Sequence, residues 1–430
     1  MSAIYGVFSQ KKNKNVFLRI YAGLYALQHR GQEAMGICLI ENEKISEIKG
    51  RGLVSDNIKH DNKNSIGGYA GIGHVKYEYS DDDITTLPMP WQYYPDGKDQ
   101  VIIAVDGKFL DDRDVEEIAT VLNGPIEKIP EYILNLKGAY SIIFAKKDKM
   151  IAIRDPHGIK PLSMGKIDSE IIFSTETCGI TGADAEVERD LLPGEIVVVT
   201  KDEVKSLRAG NFTATPCVFD FVYTARPDSF INGTSVYRSR INMGMELYKE
   251  SPVNADIVVG SPDSGMISAL GFSRASCIRY EKAIVRNRYI GRTFILPSDE
   301  MRKKGVKMKL SPIRSLIEGK RVVLVDDSIV RGNTIKHVIE ILRDSGAKEA
   351  HVRIASPPVI RSESLTFDVP SPEKLIANGR SVEDIRKLIG ADSLAFLSLD
   401  GLNRACGNGE FYERCFGGYD PFEEGDEDVN

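Results

Sequence analysis

At 430 residues the chain can hold two domains, each with its own core, and its hydrophobic share of 42% and charged share of 27% are those of a globular fold. The formal net charge of −6 argues against nucleic acid as the main partner. No apolar run approaches membrane-spanning length, the first residues carry no basic-then-apolar leader, and six widely spaced cysteines make no disulfide framework, so a cytoplasmic protein is expected.

Up to about residue 205, short β-like runs alternate with turns, at 3–8, 34–40, 69–77, 100–105, 139–145, 150–154, 170–174 and 195–200. Helical periodicity falls at 18–28 and 114–122. Strands outnumber helices there, which predicts layered antiparallel sheets. From about 215 the texture changes. Apolar strands at 256–260, 321–325 and 351–355 alternate with helical stretches, the pattern of a parallel α/β sheet. The change over 201–215 divides the chain into 1–208 and 209–430. The acidic end, 423–430, is expected to be frayed or solvated.

The most informative stretch is Val322-Val-Leu-Val-Asp-Asp-Ser-Ile-Val-Arg-Gly-Asn-Thr334. Four apolar residues predict a strand buried on both faces, and Thr334 is placed to cap the amphipathic run 335–342. Between them, Ser328, Ile329, Val330, Arg331, Gly332 and Asn333 form a short loop. Strand, loop and helix start together make an anion pocket of backbone N–H groups at the positive end of a helix dipole. Asp326 and Asp327 would repel a phosphate but suit a divalent metal or sugar hydroxyls. The ligand described is a ribose 5-phosphate with a metal nearby. The plainer alternative is a buried strand whose two aspartates cap the next helix.

The full string resembles the phosphoribosyl-pyrophosphate (PRPP) loop of type I phosphoribosyltransferases, and more closely that of the amidophosphoribosyltransferase family. Residues 217–229, 351–358 and 380–386 extend the likeness over the C-terminal half. The resemblance implies a mostly parallel α/β phosphoribosyltransferase domain in which residues 326–334 hold PRPP, and Ser264, Asp326 and Asp327 hold Mg²⁺. The basic stretch with Arg286, Arg288, Arg292, Arg302, Lys303, Lys304, Lys307 and Lys309 is similar to the family's mobile loop, with Arg292 on the leaving pyrophosphate.

The N-terminal half resembles a class II glutamine amidotransferase through residues 25–37, 50–55, 73–77 and 154–162. That likeness implies an α+β N-terminal-nucleophile fold, an αββα sandwich. Members of the class begin Cys-Gly-Ile, whereas this chain reads Met1-Ser-Ala-Ile and puts Ser2 at the nucleophile position. The family's glutamine-binding Arg corresponds to Lys76, which lacks the bidentate fork. Its oxyanion-hole Asn-Gly corresponds to Asp106-Gly107, an acceptor in place of a donor. Losing one such donor costs about 2.7–4 kcal/mol of transition-state stabilisation. Three departures at three chemical roles predict a retained fold with glutaminase activity lost or nearly so.

Some family members carry an iron–sulfur cluster on four cysteines. Cys217 and Cys415 fall on two of those positions but Glu363 and Tyr412 on the others, so no cluster is expected. Cys38, Cys178, Cys277 and Cys406 read as core or surface residues, and His29 and His74 as hydrogen-bonded scaffold.

The expectation is an Mg²⁺-dependent enzyme making 5-phosphoribosylamine and pyrophosphate from PRPP and ammonia, the first step of purine synthesis. Two rivals are a glutamine-dependent enzyme using Ser2 and a non-catalytic PRPP- or nucleotide-binding regulatory subunit. The resemblance also implies purine nucleotides as inhibitors and a homo-oligomer, with neither nucleic acid nor membrane as partner.

Overall fold

The computed structural model describes residues 2–11, 15–41, 44–58, 67–77, 89–95, 97, 99–111, 113–287, 310–367, 369 and 371–423. The first part is built on two antiparallel sheets. One has seven strands in the order Glu186–Asp190, Ser163–Ile167, Glu170–Ser174, Ser2–Ser9, Ala70–Lys76, Ala34–Glu41, Lys44–Arg51. The other has six, running Val204–Arg208, Glu195–Thr200, Lys149–Arg154, Gly138–Lys146, Val101–Phe109, Trp91–Tyr93.

Period-two alternation explains how they stack. On the strand Ser2–Ser9, Ile4 and Phe8 join a core shared with Ile102, Ala104, Ile143 and Ala152 of the second sheet. Ala3, Tyr5 and Val7 point the other way, onto Phe17, Ile20 and Leu24 of the helix Phe17–Ala26. Val101, Ile103 and Val105 likewise pack on the helices Val115–Asn123 and Ile129–Asn135. Helix, sheet, sheet and helix follow in that order, the sandwich expected of an N-terminal-nucleophile fold.

The second part carries a parallel sheet ordered Ile257–Gly260, Arg321–Asp326, Glu349–Ile354, Ser393–Phe396. Its second strand is buried on both faces. Val322 and Leu324 pack with Ile335, Val338 and Leu342 of the helix Asn333–Asp344, while Val323 and Val325 pack with Met243, Leu247 and Phe272 of the helices Val236–Glu250 and Met266–Ser276. The same core takes in Ala139 and Ile159 from the first part, so apolar packing continues across the junction.

Two expectations need correction. The helix after the acidic pair starts at Asn333 with Gly332 at its N-cap, so Thr334 lies inside the first turn. Edge and hairpin strands such as Lys44–Arg51 and Val204–Arg208 carry mixed polar sequence and escaped the alternation test. Glu423, in the end expected to be frayed or solvated, is exposed and pairs with Arg361 and Arg414 at 2.8 and 3.2 Å. No helix among the described residues is long and apolar enough to cross a membrane.

Candidate active site

Asp326 ends the central parallel strand, and both it and Asp327 are held close to the chain. The Asp327 N–H donates to Asp326 Oδ1 at 3.0 Å, the Ser328 hydroxyl donates to Asp327 Oδ1 at 2.6 Å, and the Ser261 side chain bonds to Asp326. The acids are only 6% and 5% exposed, yet Arg331, Asn333 and Thr334 of the loop that follows are exposed, so the turn opens to solvent. Ser328, Val330 and Gly332 are half-buried and Ile329 is buried. Burial, and then the charge of Asp327, push the Asp326 carboxyl well above the ordinary range. Two adjacent carboxylates in low dielectric are stabilised by a cation. This donor set, two carboxylates and hydroxyl groups, fits Mg²⁺.

Gly332 turns the chain with φ +82°, and a side chain there would run into Ile376. With glycine at the N-cap, no side chain caps the helix start. Its first N–H groups therefore remain without a side-chain acceptor at the end of the loop.

Ser264 is half-buried in the turn before the helix Met266–Ser276. The serine bonded to Asp326 is Ser261, three positions earlier at the end of its own strand, a residue sequence reasoning passed over. Its signal was its place at the carboxyl edge of the sheet, where ligands bind in open α/β folds. Asp263 pairs with Arg286 at 3.3 Å. Arg292, Arg288 and the basic residues 302–309 lie outside the described residues.

In the first part, alternation carries Ser2 and Asp106 to the same inter-sheet layer as Ile4, Ile102 and Ala104. The Ser2 hydroxyl donates to Asp106 Oδ1 at 2.8 Å. Lys160 Nζ lies 2.9 Å from that oxygen, and Thr175 Oγ1 donates to Oδ2 at 3.5 Å. Burial alone would raise the Asp106 carboxyl. Lys160 and Arg30 outweigh it and hold it below the ordinary value, so it is an anion. Lys160 also donates to the Thr366 carbonyl of the second part at 3.3 Å. Lys160 lies within the 154–162 motif, whose sequence assigns it no role.

Strand pairing sets Lys76 opposite Ser2 and His74 opposite Ile4. Gly107 has φ +116°, and a Cβ there would lie 2.0 Å from the Ala139 carbonyl oxygen. Burial pushes the His74 imidazole down to about 4, and Nδ1 of both His74 and His29 is buried without a hydrogen-bond partner, while His29 Nε2 bonds Glu176 Oε1 at 2.7 Å, as expected of a hydrogen-bonded scaffold residue.

Among the described residues one His/Cys/Glu trio has ligand atoms in mutual reach, His29, Glu176 and Cys178. The oxygens of Glu176 already accept from His29, Arg30, the Arg226 N–H and Ser229, which leaves a cation little to bind. At the four positions that bear cysteine in cluster-containing relatives, Tyr412 hydrogen-bonds Glu363, and Cys217 donates to Thr366 Oγ1 at 3.5 Å. Two thiols, a phenol and a carboxylate do not fit an iron–sulfur cubane.

The fold and these two sites define a transferase in two parts, a phosphoribosyltransferase joined to a glutamine-amidotransferase sandwich. Residues 282–357 match the phosphoribosyl transferase domain family and residues 99–181 the glutamine amidotransferase domain family. The chain is 40% identical to the amidophosphoribosyltransferase of Methanocaldococcus jannaschii, over 98% of either chain. It is 42% identical to that of Pyrococcus horikoshii, over 92% of this chain and 90% of the relative. The structure superposes on the glutamine PRPP amidotransferase of Bacillus subtilis, solved in complex with ADP and GMP, with a TM-score of 0.89, 35% identity and 97% coverage of each chain. The chain belongs to the amidophosphoribosyltransferase family, the transferases of purine biosynthesis.

Proposed function

We propose that this chain forms 5-phosphoribosylamine and pyrophosphate from PRPP and free ammonia, and that its first 208 residues no longer hydrolyse glutamine. In the reaction a C1–N bond forms as the C1–O bond to pyrophosphate breaks, and the nitrogen passes its extra proton to solvent. Asp326 and Asp327, with hydroxyls beside them, would hold Mg²⁺, which supplies charge neutralisation on the departing pyrophosphate. The loop 328–332 and the uncapped helix start bind the 5-phosphate through backbone N–H groups. No covalent nucleophile is needed, because position and charge complementarity lower the barrier. Arg292 assists on the leaving group.

The observation that carries the loss of glutaminase is the Ser2–Asp106–Lys160 contact. Glutamine hydrolysis needs donors aimed at a developing oxyanion, and an anionic carboxylate at that position repels it. Purine nucleotides are proposed as inhibitors, in keeping with the ADP and GMP bound to the Bacillus subtilis structure, and the chain as a cytoplasmic homo-oligomer.

One assay tests the reading: pyrophosphate release from PRPP with Mg²⁺, comparing ammonium at alkaline pH with glutamine. Turnover with ammonium and none with glutamine is expected. Equal turnover, with glutamate release abolished in Ser2→Ala, would establish the glutamine-dependent rival. PRPP binding without turnover on either donor would leave a regulatory subunit.

A further inference from the structure

A second segment of the chain lies against the loop that follows the acidic pair. Residues 375–377 run between the turn Pro372–Lys374 and the helix Val382–Ile389, whose start is closed by a capping box of Ser381 and Asp384. Leu375 is buried in the core on the Val323 face of the parallel sheet, and Ala377 in the core on the Val322 face. The three residues are therefore anchored on both sides of the sheet. Between the anchors, Ile376 is only half-buried, and it meets the loop twice. Its N–H donates to the Val330 carbonyl at 2.9 Å. Its side chain fills the space in front of Gly332, where an added Cβ would lie 2.3 Å from Ile376 Cδ1.

We propose that Ile376 is a positioning residue for the 5-phosphate, holding the loop 328–332 in the form that presents N–H groups to it. The inference rests on the proposed function and adds to it a residue outside the loop. Three observations support positioning over mere stability. A trans peptide sets its C=O and N–H on opposite sides. With the Val330 carbonyl drawn to Ile376, the Arg331 N–H of the same peptide faces away from residues 375–377. Without that bond the peptide is free to turn its carbonyl outward, and a carbonyl oxygen repels an anion where an N–H attracts it. At Gly332, the N-cap of the helix Asn333–Asp344, Ile376 supplies an aliphatic surface and no acceptor, so it does not compete with a phosphate for the N–H groups of the first turn. Burial, finally, is supplied by Leu375 and Ala377, whereas Ile376 stays half-exposed at the margin of its core and packs on the loop.

The test uses the full chain with Mg²⁺, as wild type, Ile376→Ala and Ile376→Leu. It reads PRPP and ammonium kinetics, and the calorimetric binding of ribose 5-phosphate and, separately, of pyrophosphate. Ile376→Ala is expected to raise the PRPP KM and weaken ribose 5-phosphate binding roughly three- to thirtyfold, with kcat changed less. Pyrophosphate binding, which draws on the metal rather than the loop, should move by less than about twofold. Ile376→Leu conserves the volume and should stay near the wild type. A merely structural role would lower the folded fraction and leave these constants unmoved. Wild-type constants in folded Ile376→Ala, or equal weakening of both ligands, overturn the proposal, and wild-type turnover then leaves the functional reading standing. Should Ile376→Ala fail to fold, Ile376→Thr, which also lacks Cδ1, takes its place with the same outcomes. A wild type that binds ribose 5-phosphate without turnover overturns the functional reading alone, since the binding comparison still decides the role of Ile376. A wild type that does neither overturns both.

Discussion

The Lys160 ammonium and the Ser2 hydroxyl converge on one oxygen, Asp106 Oδ1, at 2.9 and 2.8 Å. Lys160 and Asp106 are almost completely buried, so each is the other's main compensation for lost water. Removing one partner alone, as Asp106→Asn or Lys160→Met, is expected to cost about 3–5 kcal/mol. The double variant should cost less than the two losses added. Urea unfolding of the three proteins checks this, and single losses under about 1 kcal/mol would contradict it.

A thiol at position 2 is not expected to give glutaminase chemistry. Ser2→Cys faces the same carboxylate, so it should release no more glutamate from glutamine than the wild type. Glutamate release rising to match ammonia-driven turnover would show that Asp106 is no obstacle.

Gly107→Ala would set a methyl group against the Ala139 carbonyl at a φ that side chains avoid. The strain is about 1–3 kcal/mol before any clash is counted. Thermal unfolding should shift down by several degrees or the variant should be insoluble. An unchanged melting temperature would mean the strands separate there without cost.

His74 predicts an acid limb in stability. Its folded pKa, near 4, lies below the ordinary 6.5, so the unfolded chain binds the proton first. The neutral imidazole's contribution is complete above about 6.5 and is lost as pH falls toward 4, a difference of about 3 kcal/mol. Denaturation followed from pH 7 to pH 4 should show a shallower decline in His74→Gln than in the wild type. Parallel curves would show that His74 titrates normally.

Asp326 and Asp327 should trade stability for function. Without metal, Asp326→Asn removes one of two crowded acids and is expected to raise unfolding stability by roughly 0.5–2 kcal/mol. The same variant, and the wild type with its metal chelated, should lose pyrophosphate release. A destabilised variant that kept full activity would place the cation elsewhere.

Much of the fold was open to local reading. Strands with one residue type per face, such as Ser2–Ser9 and Arg321–Asp326, were found within a residue or so because alternation and continuous apolar runs are properties of neighbours in sequence. Edge strands such as Glu186–Asp190 bury little and show no such pattern. The helix after the acidic pair was placed correctly, but its cap was not, since glycine's left-handed φ competes with threonine's oxygen and sequence does not say which prevails.

By itself the sequence determined the two-part architecture, the acidic pair and short loop between a buried strand and a helix, and the three departures at residues 2, 76 and 106. Only the tertiary structure decided what those departures became. It brought Lys160 onto Asp106, set Ser261 beside Asp326, and joined Arg30 to Asp220, which lies 190 residues away. The reason is physical. Periodicity and turn chemistry are written in near neighbours, whereas a buried charge finds its partner through sheet stacking and domain packing, and those follow from the whole chain.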